Sequence, residues 1–229
     1  MTNVLLTQNE YLQKRFKNLS EFIPYLQKTT QLEPWHRTVL GCIVIRLRTH
    51  FRHLSVAYHT PYEPEYIAWA ARNLLELAIW AKYATRSKEN AKQLHHDQVI
   101  DMAELQKGTV GLLHKYEPSH PELATLQQQG EWLKKTKGEM GLEEDGKHLN
   151  IGTVAKEVGM AALFYGLNGL LSKLVHPTSF SIMLEMDHTV ETQLRSSLFA
   201  LGQGAAEDAL RDLVAYFDSV GIDSRLLRP

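Results

Sequence analysis

One segment of the sequence constrains the fold more than any other. Residues 64–86 contain the run EYIAWAARNLLELAIWAKYA, which has the length of a helix and is apolar on nearly every side. A helix of this kind is stable when other helices surround it, so the segment predicts the central helix of an all-α bundle. A second largely apolar helix is predicted over 154–175, ending where His176 precedes Pro177.

Amphipathic helices are predicted around these two. In three further segments apolar residues recur every three or four positions, which is the spacing of one buried helical face. These segments are 3–29, 34–58 and 190–220. Two polar helices with weak apolar faces predict an outer helical hairpin over 88–138, and the stretch 138–153, rich in Gly and acidic residues, predicts a mobile loop. We therefore predict a single helical domain of about seven helices over 1–229.

Composition limits the classes of protein that this chain can be. Apolar residues make up 44% and charged residues 22% of the 229 residues, as in a packed globular protein. The formal charge of −1 excludes a global positive field for nucleic acid, so any basic surface must be local. Cys42 is the single cysteine, which rules out an internal disulfide and favours a reducing compartment. Without a signal-peptide pattern or 18 consecutive apolar residues, we expect a cytoplasmic protein that does not contact a membrane.

Each of the two apolar helices carries one polar stripe. At 100° per residue, one side of the first helix collects Trp69, Arg72, Glu76, Trp80 and Tyr83. Arg72 and Glu76 are four residues apart and can pair along the helix. On the second helix Tyr165, Ser172 and His176 share a face. We predict that the stripes meet in a buried Arg-Glu-His-Ser-Tyr cluster, and that the tryptophans pack in the core.

These motifs resemble those of a known group of proteins. The residues R-N-L-L-E at 72–76 and Y-x6-S-x3-H-P-T at 165–178 resemble a bacterial all-α family with an Arg-x3-Glu helix and a late Ser-x3-His-Pro helix. Relatives of that family are similar to the HEPN (higher eukaryotes and prokaryotes nucleotide-binding) superfamily, and the resemblance covers about 35–200. It implies a dimeric helical domain, often a metal-independent ribonuclease of a toxin–antitoxin or phage-defence system, with the hallmark Arg-x4–6-His.

The best formal matches to that hallmark lie in the helix predicted over 34–58. Arg48 precedes His53 by an x4 spacing, whereas Arg46 and His53 have an x6 spacing, as do Arg52 and His59. An x4 spacing separates two side chains by about 140° on a straight helix, while x6 returns them to within about 20°. Arg46, His50 and His53 therefore form the better stripe and are candidates for RNA or phosphate binding. A solvated basic face without a ligand is the alternative.

Metal chemistry is not expected. Glu-x2-His, a spacing that di-iron bundles use, occurs at Glu33/His36, Glu117/His120 and Glu185/His188. All three pairs lie at predicted helix ends or turns, so they should not point into a bundle core. We predict neither a metal nor another cofactor.

Two functional interpretations remain open. In the first, the chain is a homodimeric ribonuclease in which His176 transfers protons, Arg72 stabilises phosphate charge and Glu76 orients Arg72, with Ser172 and Tyr165 completing the candidate catalytic set. In the second, it is a non-catalytic helical interaction or regulatory module whose cluster only fixes helix packing. RNA is the predicted partner under the first interpretation, and a protein encoded in the same operon is a candidate partner under both.

Overall fold

The computed structural model describes residues 2–60, 63–140, 148–176 and 186–228, and among residues 2–12 it describes only the side chain of Tyr11. The described residues form α-helices and one short 3-10 helix, Arg225–Leu227, with no strand among them, which confirms the all-α prediction. The helices are α1 (Thr2–Lys28), α2 (Pro34–His59), α3 (Pro64–Arg86), α4 (Lys88–Tyr116), α5 (Leu123–Glu139), α6 (Ile151–Glu157), α7 (Ala161–Val175) and α8 (His188–Ser219). In this part of the chain, no helix is both long enough and apolar enough to span a bilayer.

The chain divides into two compact units, one of residues 1–88 and 151–229 and the other of 89–150. In the first unit α3 contacts α2, α6, α7 and α8, as expected for a central helix. Its fully buried positions include Ile67 and Leu74 on one side and Ile79 about 120° around the helix from Ile67. Helix α1 packs on α2 and on the C-terminal 3-10 helix.

Two arginines tie the first unit together through backbone carbonyls. Arg15 is 2% exposed; it forms an ion pair with Glu207 of α8, and its Nη1 donates to the carbonyl oxygen of Leu227 at 2.6 Å. Arg195 of α8 donates through Nη2 to carbonyl oxygens at the end of α2, at 3.0 Å from Ala57 and 2.7 Å from Thr60. The last carbonyls of a helix have no partner inside it, so Arg195 satisfies groups that would otherwise need water.

The second unit contains α4 and α5, which correspond to the predicted hairpin of 88–138. Gln106 of α4 joins the helices by donating through Nε2 to the carbonyl oxygen of Leu126 at 2.6 Å. After α5, His148 meets three carboxylates of α4, with Nδ1 3.6 Å from Asp97 and 3.1 Å from Asp101, and Nε2 2.9 Å from Glu104.

The structure differs from the sequence-based prediction between 138 and 175. The predicted loop of 138–153 begins inside α5 and ends inside α6, and residues 141–147 lie outside the described ranges. The helix predicted over 154–175 is two helices, because Gly159 adopts a φ of 73°, which ends α6. That left-handed conformation suits glycine at a helix end. Helix α7 then begins at Ala161 and packs against α6.

Candidate functional site

The predicted contact between α3 and the end of α7 is present. Arg72 Nη1 lies 3.3 Å from His176 Nε2, and Arg72 Nε donates to Glu76 Oε1 at 3.1 Å. Pro64 starts α3. Within this helix Arg72 and Glu76 are four residues apart, so they lie one turn apart on the same side. His176 follows the last residue of α7 in extended backbone geometry, which points the chain away from the helix axis. The fold therefore brings His176 against Arg72, which lies 104 residues earlier in the chain and pairs with Glu76.

The Arg72–His176 contact has a defined direction. A guanidinium has only donor groups, so Arg72 Nη1 donates in this contact and His176 Nε2 accepts. Of the five N–H groups of Arg72, one donates to Glu76 and one to His176, which leaves three without a hydrogen bond to the described part of the chain. His176 Nε2 thus lies beside a guanidinium whose three other N–H groups can donate to a further acceptor.

The cluster is less buried and smaller than predicted. The side chains of Arg72 and Glu76 are 28% and 29% exposed, and His176 is exposed, so the prediction of a buried cluster is wrong. Tyr165 does not join it, since Tyr165 Oη donates to the carbonyl oxygen of Gly152 in α6 at 3.4 Å. Ser172 Oγ lies 3.5 Å from Asn168 Oδ1 on its own helix. The break at Gly159 explains the position of Tyr165, because it folds α6 against α7.

The second set of predicted residues lies on α2. Arg46, His50 and His53 follow one another at four and three residues along α2, so they share one face of the helix. On that face Arg46 and His53 are exposed and His50 is partly buried. Burial, reinforced by the positive charges of His53 and Arg46, lowers the pKa of His50 to about 4. His50 is therefore neutral at physiological pH and brings no charge to a phosphate, unlike Arg46.

Trp69 connects the two sets of residues. Its ring lies 5.3 Å from His50 and 5.3 Å from His53 between ring centres, while its carbonyl oxygen accepts from Asn73 Nδ2 at 2.7 Å. One turn further along α3 is Arg72. We call the surface formed by Arg46, His50 and His53 of α2 with Trp69, Arg72 and Glu76 of α3 the α2–α3 face. Two candidate sites that the sequence suggested separately are thus neighbours on it.

Helix α2 concentrates positive charge in a nearly neutral chain. Between Glu33 and Glu63 the sequence has four arginines and no Asp or Glu. Arg37 donates to the carbonyl oxygens of Gln27 and Thr29, and the guanidinium of Arg48 lies 4.7 Å from the ring of Phe16. Arg46 and Arg52 make no ion pair with the described residues. The local basic surface that the net charge of −1 requires for any RNA contact is therefore present on α2.

The sequence reasoning missed an exposed aromatic site beside this surface. Tyr66 and Trp69 are 57% and 40% exposed, so the prediction that Trp69 packs in the core is wrong. They border a cavity of about 450 Å³ lined by Arg52, His53, Val56, Ala57, Tyr66 and Trp69. The signal for it was the spacing of Tyr66 and Trp69, which puts two aromatic rings on one side of the first turns of α3.

A larger cavity of about 640 Å³ lies elsewhere in the first unit, where α3, α6 and α8 end. It contains both charge signs, with Lys82 and Arg86 opposite Glu157 and Asp212. Burial raises the pKa of Asp212, and the charge of Lys82 opposes that shift. None of the predicted site residues lines this cavity. Its balanced charge selects no particular ligand class, so the α2–α3 face is the better candidate site.

Comparisons of the chain with protein-family models, with curated proteins and with solved structures found no match.

Proposed function

We propose that the chain is a HEPN-like ribonuclease that cleaves RNA without a metal ion at Arg72, Glu76 and His176. The observation that supports the proposal is the 3.3 Å contact between Arg72 Nη1 and His176 Nε2, which joins an imidazole nitrogen to a guanidinium. Histidine and arginine together provide what RNA transesterification requires, namely proton transfer and charge stabilisation at phosphorus. The resemblance of 72–76 and 165–178 to the HEPN-like family agrees with this reaction.

The reaction that fits these groups is an internal transesterification. A phosphate oxygen of RNA binds the uncommitted N–H groups of Arg72 and draws the guanidinium from His176, which frees the Nε2 lone pair. Nε2 accepts the proton of the ribose 2′-hydroxyl, the 2′ oxygen bonds to phosphorus, and the bond from phosphorus to the 5′ oxygen breaks. The proton then passes to the 5′ oxygen, so the step consumes no water and leaves a 2′,3′-cyclic phosphate.

Glu76 positions Arg72 in this scheme. Its carboxylate accepts from Nε and so directs the outer edge of the guanidinium towards His176. Charge-assisted contacts of this kind fix a planar guanidinium better than they fix a lysine. Ser172 and Tyr165, which were candidates from the sequence, have no part in the proposed step.

The proposal includes the biological setting that the resemblance implies. We expect the chain to act in the cytoplasm as a homodimer within a phage-defence or toxin–antitoxin system, with a protein from the same operon as its regulator. The basic α2 helix would contact the RNA backbone through Arg46, with His53 beside it.

The test is cleavage of a single-stranded RNA in the presence of EDTA by wild-type protein and by His176→Ala. Wild type should yield cyclic phosphate ends, and His176→Ala should lose at least about a hundredfold in rate, within the usual contribution of proton transfer. His188→Ala, which removes another exposed histidine of the first unit, should cleave like wild type. Cleavage by His176→Ala at the wild-type rate, or cleavage that stops in EDTA, would refute the proposal.

A non-catalytic interaction module is the second candidate, and one observation favours it. The Arg72–His176 contact joins α3 to the end of α7, so the cluster can serve packing alone. The free energy of unfolding of a Glu76 variant, compared with its rate of RNA cleavage, distinguishes the two candidate functions. Because Arg72 and Glu76 are part exposed, Glu76→Gln should cost no more than about 1 kcal/mol of unfolding free energy, while RNA cleavage should fall at least tenfold. A large loss of stability with no effect on any RNA would support the packing role.

A further inference from the structure

We propose that the cavity between α2 and α3 binds an unpaired nucleobase, so that the protein selects single-stranded RNA. The inference rests on the proposed function, because it names the substrate class of the same face. Its own support is the cavity of about 450 Å³ bordered by Tyr66 and Trp69, a volume within the range of small-molecule sites.

The cavity has the two surfaces that a base requires. Trp69 is 40% exposed and Tyr66 is 57% exposed, and both line the cavity. Val56 and Ala57 provide an apolar wall from α2. Every base has a flat aromatic face, so a base that leaves its stack can exchange water for contact with such a surface.

The orientation of the indole ring is fixed by its neighbours. His50 meets the ring of Trp69 at an interplanar angle of 65° and His53 at 36°, both at 5.3 Å between centres. These two neighbouring rings of α2 restrict the rotation of the Trp69 side chain, so stacking a base on it costs little side-chain entropy. Neutral His50 strengthens this aromatic support, since it brings no charge that would need hydration.

The charge at the rim suits a nucleotide and not an apolar peptide. Arg52 lies at the mouth of the cavity and makes no hydrogen bond or ion pair with the described residues. Its guanidinium can bind the phosphate attached to the stacked base. Among the described residues that line the cavity, none is acidic. This combination of aromatic faces with an uncommitted cation is typical of single-strand nucleic-acid sites.

The position of the cavity connects it to the cleavage centre. Trp69 and Arg72 are three residues apart on α3, which is about 5 Å along the helix axis. A base stacked on Trp69 therefore brings the phosphate of a neighbouring nucleotide to Arg72. A base inside a duplex cannot enter the cavity without leaving its pair, which costs a few kcal/mol. The cavity thereby excludes double-stranded RNA.

The test is binding of an uncleavable 2′-O-methyl RNA hexamer, measured by fluorescence anisotropy with wild-type protein and variants. Wild type should bind the single strand at least tenfold more tightly than a duplex of the same sequence or a strand with abasic positions. Trp69→Ala should weaken binding about tenfold, and Trp69→Phe should restore most of it because a ring returns. Trp132→Ala removes an exposed indole of the second unit and should bind like wild type.

The outcomes separate this inference from the ribonuclease proposal. Because the RNA is uncleavable, binding that depends on Trp69 supports the base site even if natural RNA is never cut. Equal binding of abasic, duplex and single strands, or full binding by folded Trp69→Ala, overturns it. Association of the wild type through this surface with a second copy of itself, in place of RNA, also overturns it.

Discussion

A Cβ atom added to Gly202 would lie 3.1 Å from the Cα atom of Ala71, so the backbones of α8 and α3 touch at this pair. The same Cβ would also lie 2.8 Å from Leu54 Cδ2, a fully buried side chain of α2. We predict that Gly202→Ala lowers the free energy of unfolding by about 1–3 kcal/mol, because the overpacking exceeds the gain in helix propensity. Urea denaturation measures the loss.

Gly204 is the matched control for this substitution. It lies two residues further along α8, is exposed, and has no atom within 4 Å of an added Cβ. Gly204→Ala should therefore stabilise the protein by up to about 1 kcal/mol through helix propensity. Equal effects of the two substitutions would contradict the close approach of α8 and α3.

The ion pair of Arg15 with Glu207 predicts a larger effect. Arg15 is 2% exposed, and besides Glu207 it donates to Tyr11 Oη and to the carbonyl oxygen of Leu227. Glu207→Gln leaves the guanidinium buried without its counter-charge, which costs about 3–5 kcal/mol. The measurement is again the free energy of unfolding in urea.

The control pair for Glu207 is Lys17–Glu21 on the surface of α1. The two side chains are 75% and 51% exposed and lie 3.9 Å apart, so Glu21→Gln should change stability by less than about 1 kcal/mol. A double variant with Arg15→Met and Glu207→Leu should recover most of the loss, since it removes both charges. Failure of Glu207→Gln to exceed Glu21→Gln would show that Arg15 is not buried.

His50 predicts a loss of stability in mild acid. Its pKa is lowered from 6.5 to about 4 by burial first, then by the charges of His53 and Arg46. The unfolded chain therefore binds a proton that the folded chain refuses between these two values, so stability is full above pH 6.5 and falls as the pH drops towards 4. His50→Gln should flatten this part of the pH dependence of unfolding, measured in urea between pH 7.5 and 4.5. An unchanged slope would contradict the burial of His50.

His148 predicts the opposite dependence in the second unit. Its pKa is raised first by the hydrogen bond with Glu104, then by the charges of Glu104, Asp101 and Asp97. A raised folded pKa means that the contact is fully present below pH 6.5 and is lost as the pH rises through the higher folded value. We expect the His148 ring protons to titrate above 6.5 in NMR spectra, with the amide of Leu149 exchanging faster once the ring is neutral.

Glu104 and Asp97 should contribute unequally to this titration. Burial raises the pKa of Asp97 itself, and Asp97 also accepts from the backbone N–H of Leu149 at 2.8 Å. Glu104→Gln should therefore lower the His148 midpoint more than Asp97→Asn does. A midpoint at or below 6.5 in the wild type would rule out the carboxylate contacts.

Helical periodicity predicted most of the fold because it is a local property. Helix α3 has the predicted bounds, since Pro64 starts it, and α4 begins where the predicted hairpin of 88–138 begins. The break at Gly159 was not predicted, because glycine adopts negative and positive φ about equally readily and the sequence does not record which of them occurs. Cys42 is exposed although it lies in an apolar run, since its neighbours Ile43 and Val44 take the buried side of α2.

The candidate site was predictable in part. Facing stripes correctly placed Arg72 against His176, because residues that share a helix face stay together whatever the tertiary arrangement. The exposure of that contact and the departure of Tyr165 depend on how α6 and α7 pack, which no local pattern records. The same holds for Trp69, whose ring contacts come from α2.

The uneven placement of arginine on α2 also governs how the molecule meets a polyanion. A chain of formal charge −1 experiences little net attraction at long range, but a helix with four arginines and no carboxylate gives it a dipole. Under the proposed function, this charge would turn α2 towards an approaching strand of RNA before any side chain touches it. Orientation would then be selected during diffusion, and added salt would slow the encounter by screening this attraction.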